Sequence, residues 1–394
     1  MFKNSLNNLN LQNLHVHLQR ELAALNTIRI ADSVEDNKLK NWFLKTLELK
    51  NTDSEFLIQL NRDNDNVKAF ESFKILLNIY RNIGINEVYT SFDSYILIHD
   101  LAKPILQGKH DKLISSIMCQ FDSEYGLWDH FNVKNNSVKK FYNLALRHHH
   151  ILGVMIIGEL NYQIYEELFD DKDFKELSEN YKKIIFDFLL IHAALDSSAV
   201  GDGYLSRVKL NRYLEVINII KNINIKNSKN ELHEISTRKD IIQQRITWLL
   251  SSYDPLIDSR GNNYYTQMLN KEDWNRLYAS TRGLAKIRRI VYGAKFLYSL
   301  FHQTTDLNSE QDLSTHSKAQ KAFVDIMISM AEKAELNNSD SVEVHFLNIP
   351  KKDEKSNKII SQLNSNPQIF DSLYNSKSST VRSPAIIEVN FENL

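Results

Sequence analysis

Apolar residues recur every three or four positions along much of the chain, which is the helical period. Leu11, Leu14, Leu18, Leu22, Leu25 and Ile28 predict a helix over 9–30, with His15 and His17 on different sides of it. Trp42, Phe43, Leu44 and Leu47 extend the pattern over 38–49, and a polar break comes after it at 61–66. Segment 67–83 predicts a strong helix stopped at Gly84, and segment 87–103 one broken at Pro104. Segment 138–169 reads as one or two helices, with close packing or a turn near Gly153. A long apolar helix spans 174–199, ends in a turn at 200–203, and is succeeded by a helix over 205–222. The lysine- and asparagine-rich stretch 221–240 reads as a long loop or an internal boundary, and helices resume at 240–252, 271–278 and 280–302. The pattern then changes. Segments 341–347 and 385–391 alternate at period two, so they predict strands that pair across a segment holding a short helix near 357–364.

Composition agrees with a mostly α protein. Among 394 residues there are only 10 glycines and 5 prolines, few turns or helix breakers for a sandwich or barrel. A hydrophobic fraction of 42% suffices for a buried core. The net charge of −1 argues against a globally basic nucleic-acid binder. Cys119 is the one cysteine, so neither a disulfide framework nor a cysteine zinc site forms within the chain. No apolar run reaches the length of a membrane span, and the polar N-terminus lacks a secretory core, so a soluble, cytoplasmic protein is expected.

The 13 histidines cluster in or beside apolar helices. His99-Asp100 sits in Ile96-Leu97-Ile98-His99-Asp100-Leu101-Ala102-Lys103-Pro104, whereas His110-Asp111 has polar flanks. A buried imidazole beside a buried carboxylate needs a partner, and a divalent cation serves both. Arg147-His148-His149-His150 precedes Ile151-Leu152-Gly153, and consecutive histidines on a helix point about 100° apart. His192 and Asp196, four apart, share a face at the end of the long apolar helix. A basic amphipathic stretch at 282–295 reads as a solvated helix face. No P-loop, Gly-x-Gly-x-x-Gly, Gly-x-Ser-x-Gly or His-Glu-x-x-His occurs.

The order of these groups resembles the HD superfamily of metal-dependent phosphohydrolases. Residues 96–104 are similar to that family's apolar-His-Asp-(Ile/Leu)-Gly-Lys-Pro motif, with Ala102 in place of glycine. His149-His150-Ile151-Leu152-Gly153 is similar to its His-x-x-apolar-Gly segment, and Asp196 stands where its last ligand is expected. The resemblance covers roughly residues 65–205. It implies an HD-like helical bundle at 61–225; the apolar pattern adds N-terminal helices at 1–60 packing on it, a helical region at 240–335 and a small α/β appendage at 340–394. The resemblance also implies a divalent metal (Mn, Fe, Zn or Ni) on His99, Asp100, His149 and Asp196. The substrate would be a small phosphorylated molecule, nucleotide-like, hydrolysed by an activated water. Asp100 and Lys103 would be catalytic, with Lys103 and Arg147 on phosphate oxygens. His148, His150 and His192 are spare imidazoles for a second metal, phosphate or the leaving group.

One departure concerns the family's further upstream histidine, because none lies between His17 and His99. Glu71 could replace it, His15 or His17 could fold back from the first helix, or the site is degenerate and regulatory. An HD-like di-iron oxygenase and a helical interaction module without a site are the other readings.

Overall fold

The computed structural model describes residues 8–48, 55–61, 65–100, 110–199, 205–253, 269–291, 310–349, 361–363, 365–377 and 384–391. The chain divides into two compact units, Met1–Gly153 with Glu167–Asn222, and Val154–Glu166 with Ile223–Leu394.

The first unit is helical. It contains α1 (Asn8–Asp32), α2 (Asp36–Glu48), α3 (Glu55–Leu60), α4 (Asn66–Asn82), α5 (Asn86–Thr90) and α6 (Phe92–His99). Next come α7 (His110–Tyr125), α8 (Leu127–His130), α9 (Asn136–Met155), α10 (Glu166–Asp170), α11 (Lys172–Glu176), α12 (Glu179–Ala199) and α13 (Arg207–Lys221). Every residue from Ile185 to Leu195 on α12 is buried, so this helix is enclosed on all sides. Helices α1, α3, α4 and α13 pack against it. Around Phe188 stand Phe92, Tyr95, Phe141 and Tyr142, with ring centroids 4.5 to 5.7 Å away. Caps fix the helix starts: Asp65 accepts from the Lys68 amide on α4, and Ser206 from the Lys209 amide on α13.

The second unit opens with the 3-10 turn Tyr162–Tyr165 and continues through α14 (Ser228–Thr237), α15 (Lys239–Tyr253), α16 (Lys271–Ala279), α17 (Thr281–Lys286) and α18 (Glu310–Leu336). Its sheet holds β1 (Ile287–Val291), β2 (Val342–Leu347), β3 (Tyr374–Lys377) and β4 (Ala385–Asn390). The spatial order is β1-β2-β4-β3, with β1, β2 and β4 parallel and β3 antiparallel on β4. Val342, Val344, Ile387 and Val389 share a core with Phe323, Met327 and Met330 of α18.

The chain is therefore mostly α with a small sheet near its C-terminus, and both expected strands, β2 and β4, pair directly. Three local expectations are corrected. The stretch 282–295 is not one helix: α17 ends at Lys286 and β1 begins at Ile287, while residues 292–295 lie outside the described set. Its β-branched Ile287, Ile290 and Val291 suit a strand, and pairing with β2 decides the conformation. Stretch 221–240 holds α14 rather than a long loop, while its reading as an internal boundary agrees with the division between the two units at Asn222 and Ile223. The turn after α9 falls at Gly158, with φ +82°, and Gly153 lies inside the helix.

Among the described residues, no helix is long and apolar enough to cross a membrane.

Candidate metal centre

Three helices of the first unit bring five donor side chains together. His17 and Glu21 are four apart on α1 and share a face. His99 is the last residue of α6 and Asp100 its C-cap. Asp196 lies in the last turn of α12. Helix α1 packs on both α6 and α12, which closes the group.

Each of the five offers one atom within 4.8 Å of all the others. His17 Nε2 lies 2.8 Å from Glu21 Oε1, 2.9 Å from Asp196 Oδ1 and 3.4 Å from Asp100 Oδ2. His99 Nε2 lies 3.4 Å from Glu21 Oε1 and 3.5 Å from Asp100 Oδ2. Glu21, His99 and Asp100 are at most 1% exposed, whereas the Asp196 side chain is 38% exposed, so the group reaches solvent on the Asp196 side.

The histidine tautomer is set by the bonding. His99 Nδ1 donates to the Ile96 carbonyl at 2.7 Å, and a carbonyl only accepts, so Nδ1 carries hydrogen and Nε2 faces the carboxylates. A backbone carbonyl behind the ring and a cation in front is the usual setting of a ligating histidine. Burial pulls both imidazoles toward lower pKa, but the carboxylates outweigh it. His17 is raised to about 9, through Asp196 and Glu21. His99 is raised to about 10, through Glu21 and Asp100.

The donor set fits a divalent transition metal. Two imidazole nitrogens with carboxylate oxygens suit Mn, Fe, Zn or Ni. Ligand bonds of about 2.0–2.2 Å place opposite donors up to about 4.4 Å apart, the scale seen here.

Of the residues expected from sequence, His99, Asp100 and Asp196 are in the group. His149 is not; its ring lies against that of His99, centroids 5.7 Å apart, with Nδ1 donating to the Leu146 carbonyl at 2.8 Å. His192 lies 4.6 Å from His99 and 5.3 Å from His149, ring to ring, with Nδ1 3.4 Å from the Tyr95 hydroxyl. His150 adjoins His149, ring centroids 5.8 Å apart. Glu71 is exposed on α4, because that helix buries its opposite face through Ala69, Ser72, Phe73, Leu76 and Leu77. Arg147 does not face the five donors freely for a phosphate. Its Nε and Nη2 grip Asp171 at 2.7 and 2.8 Å, and Nη2 also reaches Asp173. His148 joins the same pair, Nε2 to Asp171 Oδ2 at 3.1 Å. Burial raises the Asp171 carboxyl, and His148 and Arg147 overcome this to hold it well below the usual carboxylate range. These contacts fasten α9 to the start of α11, which Asp171 caps. Lys103 lies outside the described residues. In the basic stretch, Lys286 donates to the Asn337 carbonyl at 2.8 Å and Arg288 pairs with Glu343 at 3.4 Å.

His17, from the first described helix, belongs to the group, whereas His15 is exposed. Glu21 is a member that the sequence motifs do not single out. A signal existed: Leu18, Glu21, Leu25 and Ile28 are spaced three, four and three, so a carboxylate occupies the apolar stripe.

No family model matches the chain, and no curated protein or solved structure matches it at a significant level.

Proposed function

We propose that this protein is a metal-dependent phosphohydrolase of the HD type, acting on a phosphate ester of a nucleotide or nucleotide-like small molecule. The reading is supported by one observation above all. His17, His99, Asp100 and Asp196 converge, in the chain order His…His-Asp…Asp. A divalent cation held there would polarise a phosphoryl oxygen and acidify a water. Asp100 would help hold that cation, and its carboxylate is the group we assign to accept the water proton as oxygen attacks phosphorus and the ester P–O bond breaks. His149 and His192, whose rings lie against that of His99, are the candidates we assign to protonate the departing oxygen. Lys103, three residues after Asp100, is assigned to phosphate neutralisation on sequence grounds. A degenerate site would lack its further donor, and the presence of His17 beside His99, Asp100 and Asp196 supports the active reading instead.

An HD-like di-iron oxygenase is the second reading. It is favoured by the His149 and His192 rings beside the group.

Elemental analysis of untagged protein, with hydrolysis assays on nucleotides and on phosphomonoester and diester probes, tests both. Expected are one metal per chain and metal-dependent phosphate release, both lost in Asp100→Ala. Two irons with oxygen consumption and no phosphate release would favour the oxygenase. No bound metal after adding Mn(II) or Fe(II) would sink both.

A further inference from the structure

We propose that Glu21 is itself a metal ligand, and that it makes the centre a five-donor, oxygen-rich site whose Mn(II) and Fe(II) affinities are raised relative to Zn(II). The proposal rests on the metal-centre reading and adds a ligand outside the four-residue His…His-Asp…Asp pattern.

Geometry is the first argument. Glu21 Oε1 is 2.8 Å from His17 Nε2 and 3.4 Å from His99 Nε2, the same range that links the other four donors. In a six-coordinate shell with bonds of about 2.1 Å, neighbouring donors stand about 3 Å apart. Glu21 thus stands at the spacing of a co-ligand, with its donor atom within 4.8 Å of each of the other four.

Charge compensation is the second argument. Glu21 is fully buried, at 0% exposure, on a stripe of α1 otherwise filled by Leu18, Leu25 and Ile28. A buried carboxylate is costly unless paired. Its ion-pair partners among the described residues are His17 and His99. Both are ligands in the proposed centre. An imidazole that gives its Nε2 lone pair to a metal has no Nε2 proton for Glu21. Binding the cation directly then compensates the carboxylate, and the four-residue spacing on one helix face lets His17 and Glu21 chelate together.

The donor count sets the preference. Zinc favours four donors, rich in nitrogen and sulfur. Three carboxylates with two imidazoles give five donors, dominated by oxygen, which suits Mn(II) and Fe(II) and leaves one position for water or a phosphoryl oxygen.

The test uses full-length protein loaded with Mn(II). Water-proton relaxation counts exchangeable inner-sphere waters, and competition titrations give the Mn(II) and Zn(II) affinities. One water is expected in the unaltered protein and two in Glu21→Gln. Mn(II) affinity should fall by roughly tenfold or more, at least the scale of groups that only orient ligands. The ratio of Mn(II) to Zn(II) affinity should fall with it. Glu21→Asp keeps the charge but withdraws it by one methylene, and it should also gain a water. It serves if circular dichroism shows Glu21→Gln unfolded. Unchanged water count and Mn:Zn ratio in folded variants would overturn the ligand role while leaving the metal centre standing. Failure of the unaltered protein to bind metal would remove the metal reading, and this proposal with it.

Discussion

At the residue scale, the two histidines of the candidate centre would couple metal binding to protons. His17 and His99 stand at about 9 and about 10 when only carboxylates face them, above the 6.5 of an ordinary imidazole. The folded state then holds protons that the unfolded chain gives up. Stability from this source is full below pH 6.5 and is lost as pH rises through 9 to 10. In chelator-treated protein the melting temperature should fall between pH 7 and 10, and less so in His99→Gln. Metal affinity should climb over the same window, since binding displaces both protons. A melting temperature flat across that range would contradict the assignment. His99, Asp100 and Asp196 are legible in sequence because each sits against a local apolar run. His17 is legible only as an alternative to Glu71, since which helix supplies the remaining ligand depends on which helix packs beside α12. Sequence spacing favours α4, but α4 turns Glu71 to solvent and buries the face bearing Phe73.

Among the elements, helices are readable wherever burial is one-sided or complete, as in α4 and α12. The strand β1 is not, because Lys286, Arg288 and Arg289 interleave with Ile287 and Ile290 in a pattern that also fits a basic helix. The deciding forces are tertiary. Asn161 Nδ2 donates to the carbonyls of Ala285 and Ile287, and Arg245 to those of Leu284 and Ile287. Those four bonds take the carbonyls that a continuing helix would use, and β2 pairs with residues 287–291. The same junction requires a small residue. A Cβ on Gly283 would lie 1.9 Å from the Ala331 carbonyl oxygen, a backbone atom of α18 that no rotamer change can move. Gly283→Ala should therefore destabilise the protein by about 3 kcal/mol or more, at or beyond the usual overpacking range. Chemical denaturation of the variant reads this directly, and a midpoint within error of the unaltered protein would mean α17 and α18 are less closely packed.

Across the molecule, the candidate centre joins segments that are far apart in sequence. His17 and Asp196 are 179 positions apart, yet their side chains meet at 2.9 Å. A cation shared by α1, α6 and α12 would thus act as a cross-link that exists only in the folded state. Binding to the native state alone stabilises it by about 2.7 kcal/mol when free ligand is 100 times Kd. Mn(II) added to chelated protein should accordingly raise the melting temperature, and the gain should disappear in His17→Ala as completely as in Asp100→Ala. Glu71→Gln should keep the whole gain, because its side chain is on the solvent face of α4. If His17→Ala kept the gain, the ligand set would close within α6 and α12. α1 would then be a packing helix whose histidine merely pairs with carboxylates. Loss of the gain in His17→Ala with retention in Glu71→Gln would show instead that the first helix of the chain completes the site.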